Sequence, residues 1–101
     1  MVMRLTKSNT CSEDLAARMI ELDEDAFREF AEFFAPKFRA FFLARGLGIL
    51  DAEDLTITCI TDIALKVPRY RPTHGANFEK WVFTLARHSL ADWWRDHQTP
   101  D

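Results

Sequence analysis

Phe27, Phe30, Phe34, Phe38 and Phe41 recur at steps of three and four residues, the spacing that lays side chains along one face of an α-helix. Phe33 and Phe42 broaden that stripe. A helix carrying so much aromatic surface on one side must bury it against other helices, so the stripe calls for an all-α fold and defines its core. Pro36 falls inside the stripe, and the periodicity continues on both sides of it. It is therefore expected to remove one backbone hydrogen bond and kink the helix rather than end it.

Three further helices are readable around it, and no strand. Thr10 and Glu13 have capping-box spacing ahead of Leu15, Met19 and Leu22, which predicts a short first helix over about residues 11–21. Asp23 is placed to cap the Phe-rich helix, and Gly46 and Gly48 to stop it. The acidic run from Asp51 to Asp54 suits a helix N-terminus, where the macrodipole favours negative charge. Leu55, Cys59, Ile63 and Val67 form the inner face of that third helix, and Pro68 ends it. After a loop containing Pro72 and Gly75, Asn77 is a plausible cap for a last helix with Phe78, Trp81, Val82, Leu85 and Trp93 near one face. The expected architecture is a compact bundle of three main helices plus a short N-terminal one, over residues 11–98. Flexible tails are expected at 1–10 and 99–101.

With 101 residues there is room for one domain and one core. No apolar run approaches the ~18 residues of a membrane span, and the basic N-terminus lacks the apolar stretch of a secretory signal. Cys11 and Cys59 are too few for a disulfide framework, so a reduced, cytoplasmic protein without membrane contact is expected. The formal net charge of −3 is unevenly spread. Residues 1–27 hold three basic and six acidic groups, and residues 46–63 hold none and four. Residues 64–101 hold six and four, with all three His besides. Such a chain can offer a basic partner one face and an anionic partner another.

Catalytic chemistry finds little support. His74, His88, His97 and the two Cys are scattered, with no pair spaced to hold a metal on one helix face, and Cys59 sits on a predicted core face. No Gly-rich phosphate loop is present. No enzyme activity, metal or cofactor is expected. The segment from Lys66 onward is more informative. Lys66, Arg69, Tyr70 and Arg71 precede the loop, and Phe78, Trp81, Arg87, His88, Trp93, Trp94 and Arg95 follow it. Cations interleaved with aromatics suit a single-stranded nucleic acid, because charge tracks the phosphates while flat rings stack on exposed bases. Phe78, Trp81, Val82 and Leu85 fit core spacing instead. Trp93 and Trp94, being adjacent, point about 100° apart on a helix, so one of them should be partly exposed.

Three stretches in order resemble region 2 of bacterial RNA polymerase sigma factors of the extracytoplasmic-function type. Asp25-Ala26-Phe27 through Phe34-Ala35-Pro36-Lys37-Phe38 is similar to the family's D-x-x-A-F…Y-x-P-x-L. Asp51-Ala52-Glu53-Asp54-Leu55 matches D-A-E-D-L. Phe78-x-x-Trp81-Val82-x-x-x-Ala86-Arg87, followed by Asp92, Trp94 and Arg95, is similar to F-x-x-W-L-x-x-I-A-R-N…D-x-L-R. The resemblance spans about residues 23–96. It implies that Asp51, Glu53, Asp54 and Leu55 face the clamp helices of the polymerase's largest subunit. It also implies that Tyr70 and Arg71 begin a base-reading loop, and that Arg87, His88, Asp92 and Arg95 face DNA. The expected activity is capture and melting of the promoter −10 element, with the non-template strand held single.

The sequence departs from the family where Thr56-Ile57-Thr58-Cys59-Ile60 replaces the usual Val-Gln-Glu-Val-Phe, and where His88 replaces Asn. The first change weakens the carry-over of the polymerase contact and the second the promoter preference. A typical member also has a second, helix-turn-helix domain that reads the −35 element, and no such segment is seen here, so the chain is expected to be an isolated domain. Polymerase core and promoter DNA are the expected partners, with an anti-sigma factor as a further one. The competing expectation is a helical interaction module that keeps the fold and docks on polymerase or a regulator without reading DNA.

Overall fold

A computed structural model describes residues 7–71 and 77–97, with side chains from Glu13 onward. Among these residues the chain forms α1 (Lys7–Ile20), α2 (Glu24–Ala44), α3 (Ile49–Lys66) and α4 (Phe78–His97), with a 3-10 turn at Val67–Arg69 and no strand. The all-α expectation holds, and α2 is the element on which the other helices pack.

Phe30, Phe34, Phe38 and Phe42 are fully buried, with Ala26 at the head of the same row. The row steps strictly by four, so it drifts about 40° around the helix at each step. That drift decides which rings lie at the centre. Phe27 and Phe41 flank the row half-buried, while Phe33 is left outside with the Lys37 ammonium 4.7 Å above its ring. It also hands successive rings to different parts of α4. Phe30 meets Phe78 at 6.0 Å between centroids, whereas Phe34, Phe38 and Phe41 surround Phe83 at 6.1, 5.4 and 5.8 Å. Pro36 does not end the helix, which continues to Ala44.

α1 begins at Lys7, so Thr10 is interior to the helix and does not cap it. The capping box therefore fails, and the expected tail at 1–10 overlaps α1. Glu13 is engaged elsewhere in the fold. The side chain of Cys11 lies outside the described residues. At the other end of α1 the Leu22 N–H donates to Met19 O at 2.9 Å and the Asp23 N–H to Arg18 O at 3.0 Å. This is a Schellman closure, with Leu22 in the left-handed position normally given to glycine (φ 65°). α2 ends in the same way, with Gly46 at that position (φ 103°) and the Leu47 N–H on Phe42 O. Arg18 then fixes α1 on α2. Its guanidinium donates to Asp23 at 3.1 Å and to both carboxylate oxygens of Glu29 at 3.0 Å, which raises its own pKa and lowers that of Asp23. Asp23 caps α2 as the sequence indicates, its side chain accepting from the Asp25 N–H at 2.9 Å.

α3 starts at Ile49, two residues ahead of the acidic run, capped by Gly48. Its inner row of Ala52, Leu55, Cys59 and Ile63 leads into Val67, all buried. Thr56 is buried beside them, and its hydroxyl donates to Ala52 O at 2.7 Å. Cys59 is a free thiol with no exposure, next to Ser89 of α4; burial pushes it up from its usual 9.0 to about 11. α4 opens as expected, with Asn77 accepting the Lys80 N–H at 2.8 Å. Phe78, Val82, Ala86 and Leu90 make its buried row. No helix among the described residues is long and apolar enough to cross a membrane.

Candidate nucleic-acid interface

The first two turns of α3 present Asp51, Glu53 and Asp54 to solvent, but Leu55 is turned inward and buried. Leu55 thus supports this surface from beneath and does not form part of it, contrary to the motif-based expectation. The opposite side of α3 carries a feature that motif reading missed. Leu50, Ile57 and Leu65 are exposed by 83, 65 and 75%, and they share a roughly 80° arc of the helix with Asp54 and Thr61. Their spacing of seven and eight residues is the sequence signal of a second apolar stripe, sparser than the four-residue repeat of the core row.

Tyr70 is placed differently from expectation. It is 3% exposed, with its ring 5.2 Å from those of both Phe78 and Trp81. Its hydroxyl donates to the Glu13 carboxylate at 3.1 Å, and the Phe78 N–H donates to the same carboxylate at 2.7 Å. A ring so enclosed cannot stack on a base in this conformation, so its aromatic character serves packing. Arg69 and Arg71 beside it are exposed. Arg71 folds back on the 3-10 turn, donating to Pro68 O and Tyr70 O at 3.0 Å. Lys66 is paired with Asp62 at 3.1 Å. His74 lies outside the described residues.

On α4 the structure brings most of the expected residues together. Lys80, Thr84, Arg87, His88, Ala91 and Arg95 fall on one side of an ideal helix, within an arc of roughly 100°. All are exposed except the half-exposed Thr84. Lys80, missed by motif matching, lies on the stripe at i, i+4, i+7 spacing with Thr84 and Arg87. These three, with Asn77, Glu79 and Phe83, line an open concavity of about 560 Å³. Within it the Arg87 guanidinium donates to the Thr84 hydroxyl at 3.2 Å, and that hydroxyl donates to Lys80 O at 2.9 Å. The stripe and the concavity beside it therefore offer the Lys80 ammonium, the Arg87 guanidinium and the Asn77 amide, an arrangement able to hold phosphates and polar base edges.

Asp92 belongs to a different surface. It pairs with Arg95 at 2.6 Å, and with Asp51, Asp54, Asp62, Asp96, Ser89, Trp93 and His97 it lines a cleft between α3 and α4. A carboxylate there repels phosphate, so the part left to Asp92 is to hold Arg95. Trp93 and Trp94 divide as expected: Trp93 is half-buried, stacked on His97 at 4.0 Å, and Trp94 is 40% exposed. Among the described residues no group of three or more His, Cys, Asp or Glu is arranged to hold a metal ion.

The Sigma-70 region 2 family model matches residues 35–99, which takes in α3, α4 and every residue of both surfaces. The chain belongs to the sigma-70 region 2 family. This region 2 domain is also 30% identical over 79 residues to the ECF RNA polymerase sigma factor RpoE of Cereibacter sphaeroides. The aligned stretch covers 78% of the chain and 43% of that protein, so the domain spans less than half the length of this curated relative. It is a region 2 domain of the ECF type, as its motifs indicate. No solved structure matches it. Glu13 lies outside the matched span of the family model, and its sequence separation of 57 residues from Tyr70 leaves no local pattern by which to find it.

Proposed function

We propose that the domain acts in transcription initiation as the part of a sigma factor that binds RNA polymerase and captures the melted −10 element of a promoter. The observation that carries this reading is the segregation of two surfaces. The stripe Lys80–Thr84–Arg87–His88–Arg95, with Arg69 and Arg71 near its head, faces solvent on α4, and the acidic opening of α3 lies beyond it across the α3–α4 cleft, which meets the stripe where Asp92 pairs with Arg95. The stripe suits the non-template strand, since its cations contact phosphates and its donors reach unstacked bases. The outer face of α3 suits the polymerase clamp helices. There Leu50, Ile57 and Leu65 supply apolar area while Glu53 and Asp54 supply charge complementarity with a basic partner.

The burial of Tyr70 and the pairing of Lys66 and Arg95 with aspartates favour the second reading, a module that docks on polymerase or a regulator and leaves DNA alone. Polymerase reconstituted with the chain separates the two. In the first reading Asp54→Lys weakens polymerase capture, while Arg87→Ala leaves capture intact and impairs promoter opening. Intact capture with no salt-dependent binding of single-stranded DNA selects the second. Full polymerase affinity in a folded Asp54→Lys protein removes the docking assignment from either.

A further inference from the structure

One carboxylate holds both ends of the chain segment that separates the 3-10 turn from α4. Glu13 Oε1 and Oε2 accept the Tyr70 hydroxyl at 3.1 Å, and Oε2 also accepts the Phe78 N–H at 2.7 Å. The second bond satisfies a free donor at the first residue of α4 and sets a negative charge at the positive end of that helix. Asn77 caps the same helix through the Lys80 N–H, so α4 begins under two independent restraints, one local and one from α1. Tyr70 is meanwhile fixed by its ring between Phe78 and Trp81 as well as by its hydroxyl. The positions of Arg69 and Arg71 relative to Lys80 thus depend on a residue far away in sequence.

Resting on the DNA-binding reading above, we infer that Glu13 is a positioning residue for nucleic-acid recognition, holding the cations of the 3-10 turn in register with those at the head of α4. Strands threaded across both groups need their spacing to be set beforehand, because ordering them at the moment of binding costs affinity. Tyr70 then serves through its hydroxyl, as the far half of the clasp, and not through stacking. Two expectations distinguish this from the stacking role: Tyr70→Phe, which keeps the ring, lowers affinity, and Glu13→Ala lowers it by a similar factor although Glu13 faces no base.

The test uses the whole chain and two readouts. Tyr70 is the single tyrosine, so alkaline titration of the tyrosinate absorbance reports on this one side chain, and its change between variants on the clasp. The midpoint, held near 12 by burial and by the Glu13 carboxylate, is expected to fall in Glu13→Ala, where burial alone keeps it above the usual 10.0. An unchanged midpoint overturns the clasp. The second readout is anisotropy of a fluorescein-labelled random single strand of about 16 nucleotides, at a temperature where circular dichroism shows each variant folded. Glu13→Ala and Tyr70→Phe are each expected to weaken binding about three- to tenfold, the double variant no more than either, and Glu13→Gln by less because one acceptor oxygen remains. Should Glu13→Ala not fold, Tyr70→Phe carries the test, since it removes one hydroxyl and keeps the ring. Folded variants that bind as tightly as the unsubstituted chain overturn the inference while leaving the DNA reading in place. An unsubstituted chain that binds no strand at all removes both, and is recognised by that null control.

Discussion

The buried row of α2 and the exposed stripe of α4 are built on nearly the same arithmetic, yet one is a core and the other a contact surface. Both repeat at helical spacing, the α2 row strictly by four and the α4 stripe by threes and fours, on helices of about equal length, 21 and 20 residues. What differs is the side chain repeated. Phenylalanine at four successive steps makes a row that water cannot cover, so it must be buried against α3 and α4. Lysine, threonine, arginine and histidine at helical spacing on α4 leave their heads in water, and the helix buries its opposite side through Phe78, Val82, Ala86 and Leu90. α4 must serve both faces at once, and α2 chiefly one. Stability and recognition therefore separate by residue even where they share a helix, and each substitution should move one without the other.

The hardest break falls on the inner row. Phe30→Ala or Phe38→Ala is expected to cost about 3–5 kcal/mol, read from urea unfolding, because both rings are fully buried among other rings. An unchanged unfolding midpoint would dissolve the distinction between the two rows. On the outer stripe, Lys80→Ala combined with Arg87→Ala should leave that midpoint in place. The slope of log affinity for single-stranded DNA against log salt should shrink by about 1.4, some 0.7 for each phosphate that is no longer neutralised. A drop in affinity with an unaltered slope would mean these cations do not meet phosphates.

Alkaline pH separates interior from surface by another route. Cys59 and Tyr70 have folded-state pKa values raised from 9.0 to about 11 and from 10.0 to about 12, both chiefly by burial. Each loses its proton more readily in the unfolded chain than in the folded one. Their contribution is therefore fully present below about pH 9 and is lost as pH rises towards 12. Unfolding free energy should decline over that window, and the Cys59→Ser protein should begin its decline about one unit later. The smallest effect belongs to Asp92→Asn. Freeing Arg95 from its partner should raise single-strand affinity by less than about threefold without altering the unfolding midpoint. A loss of binding instead would give Asp92 a direct part in recognition.

Local spacing made most of the fold legible. Asp23 and Asn77 were readable as caps because each acts on its own next turn, and the inner row of α3 because it repeats by four. Phe33 and Phe42 look alike in the sequence, since a stripe at mixed steps hides the drift that carries Phe42 inward and Phe33 out. The site was less legible, and for one reason. Thr10 and Glu13 have the spacing of a capping box, but the tyrosine and backbone donor that claim the Glu13 carboxylate lie 57 and 65 residues further on. The same distant bond turns Tyr70 from an expected base-stacking ring into a packed one. Leu55 illustrates the complementary limit: a motif names five consecutive residues, whereas a helix can turn only some of them outward.

The aspartate-lined cleft between α3 and α4 also sets how the domain meets a polyanion before any contact forms. The chain as a whole is negative, by −3, so at long range its monopole disfavours DNA. Closer than a Debye length, about 8–10 Å, the separation of charge outweighs the sum. Asp51, Asp54, Asp62, Asp92 and Asp96 line that cleft, Lys80 and Arg87 lie on another side of α4, and Arg95 sits at the border, paired with Asp92. The field of an approaching strand exerts a torque that swings the aspartates away and the cations towards it. Collisions are thereby pre-oriented, and the acidic cleft acts as a rudder for the cationic surface that it borders.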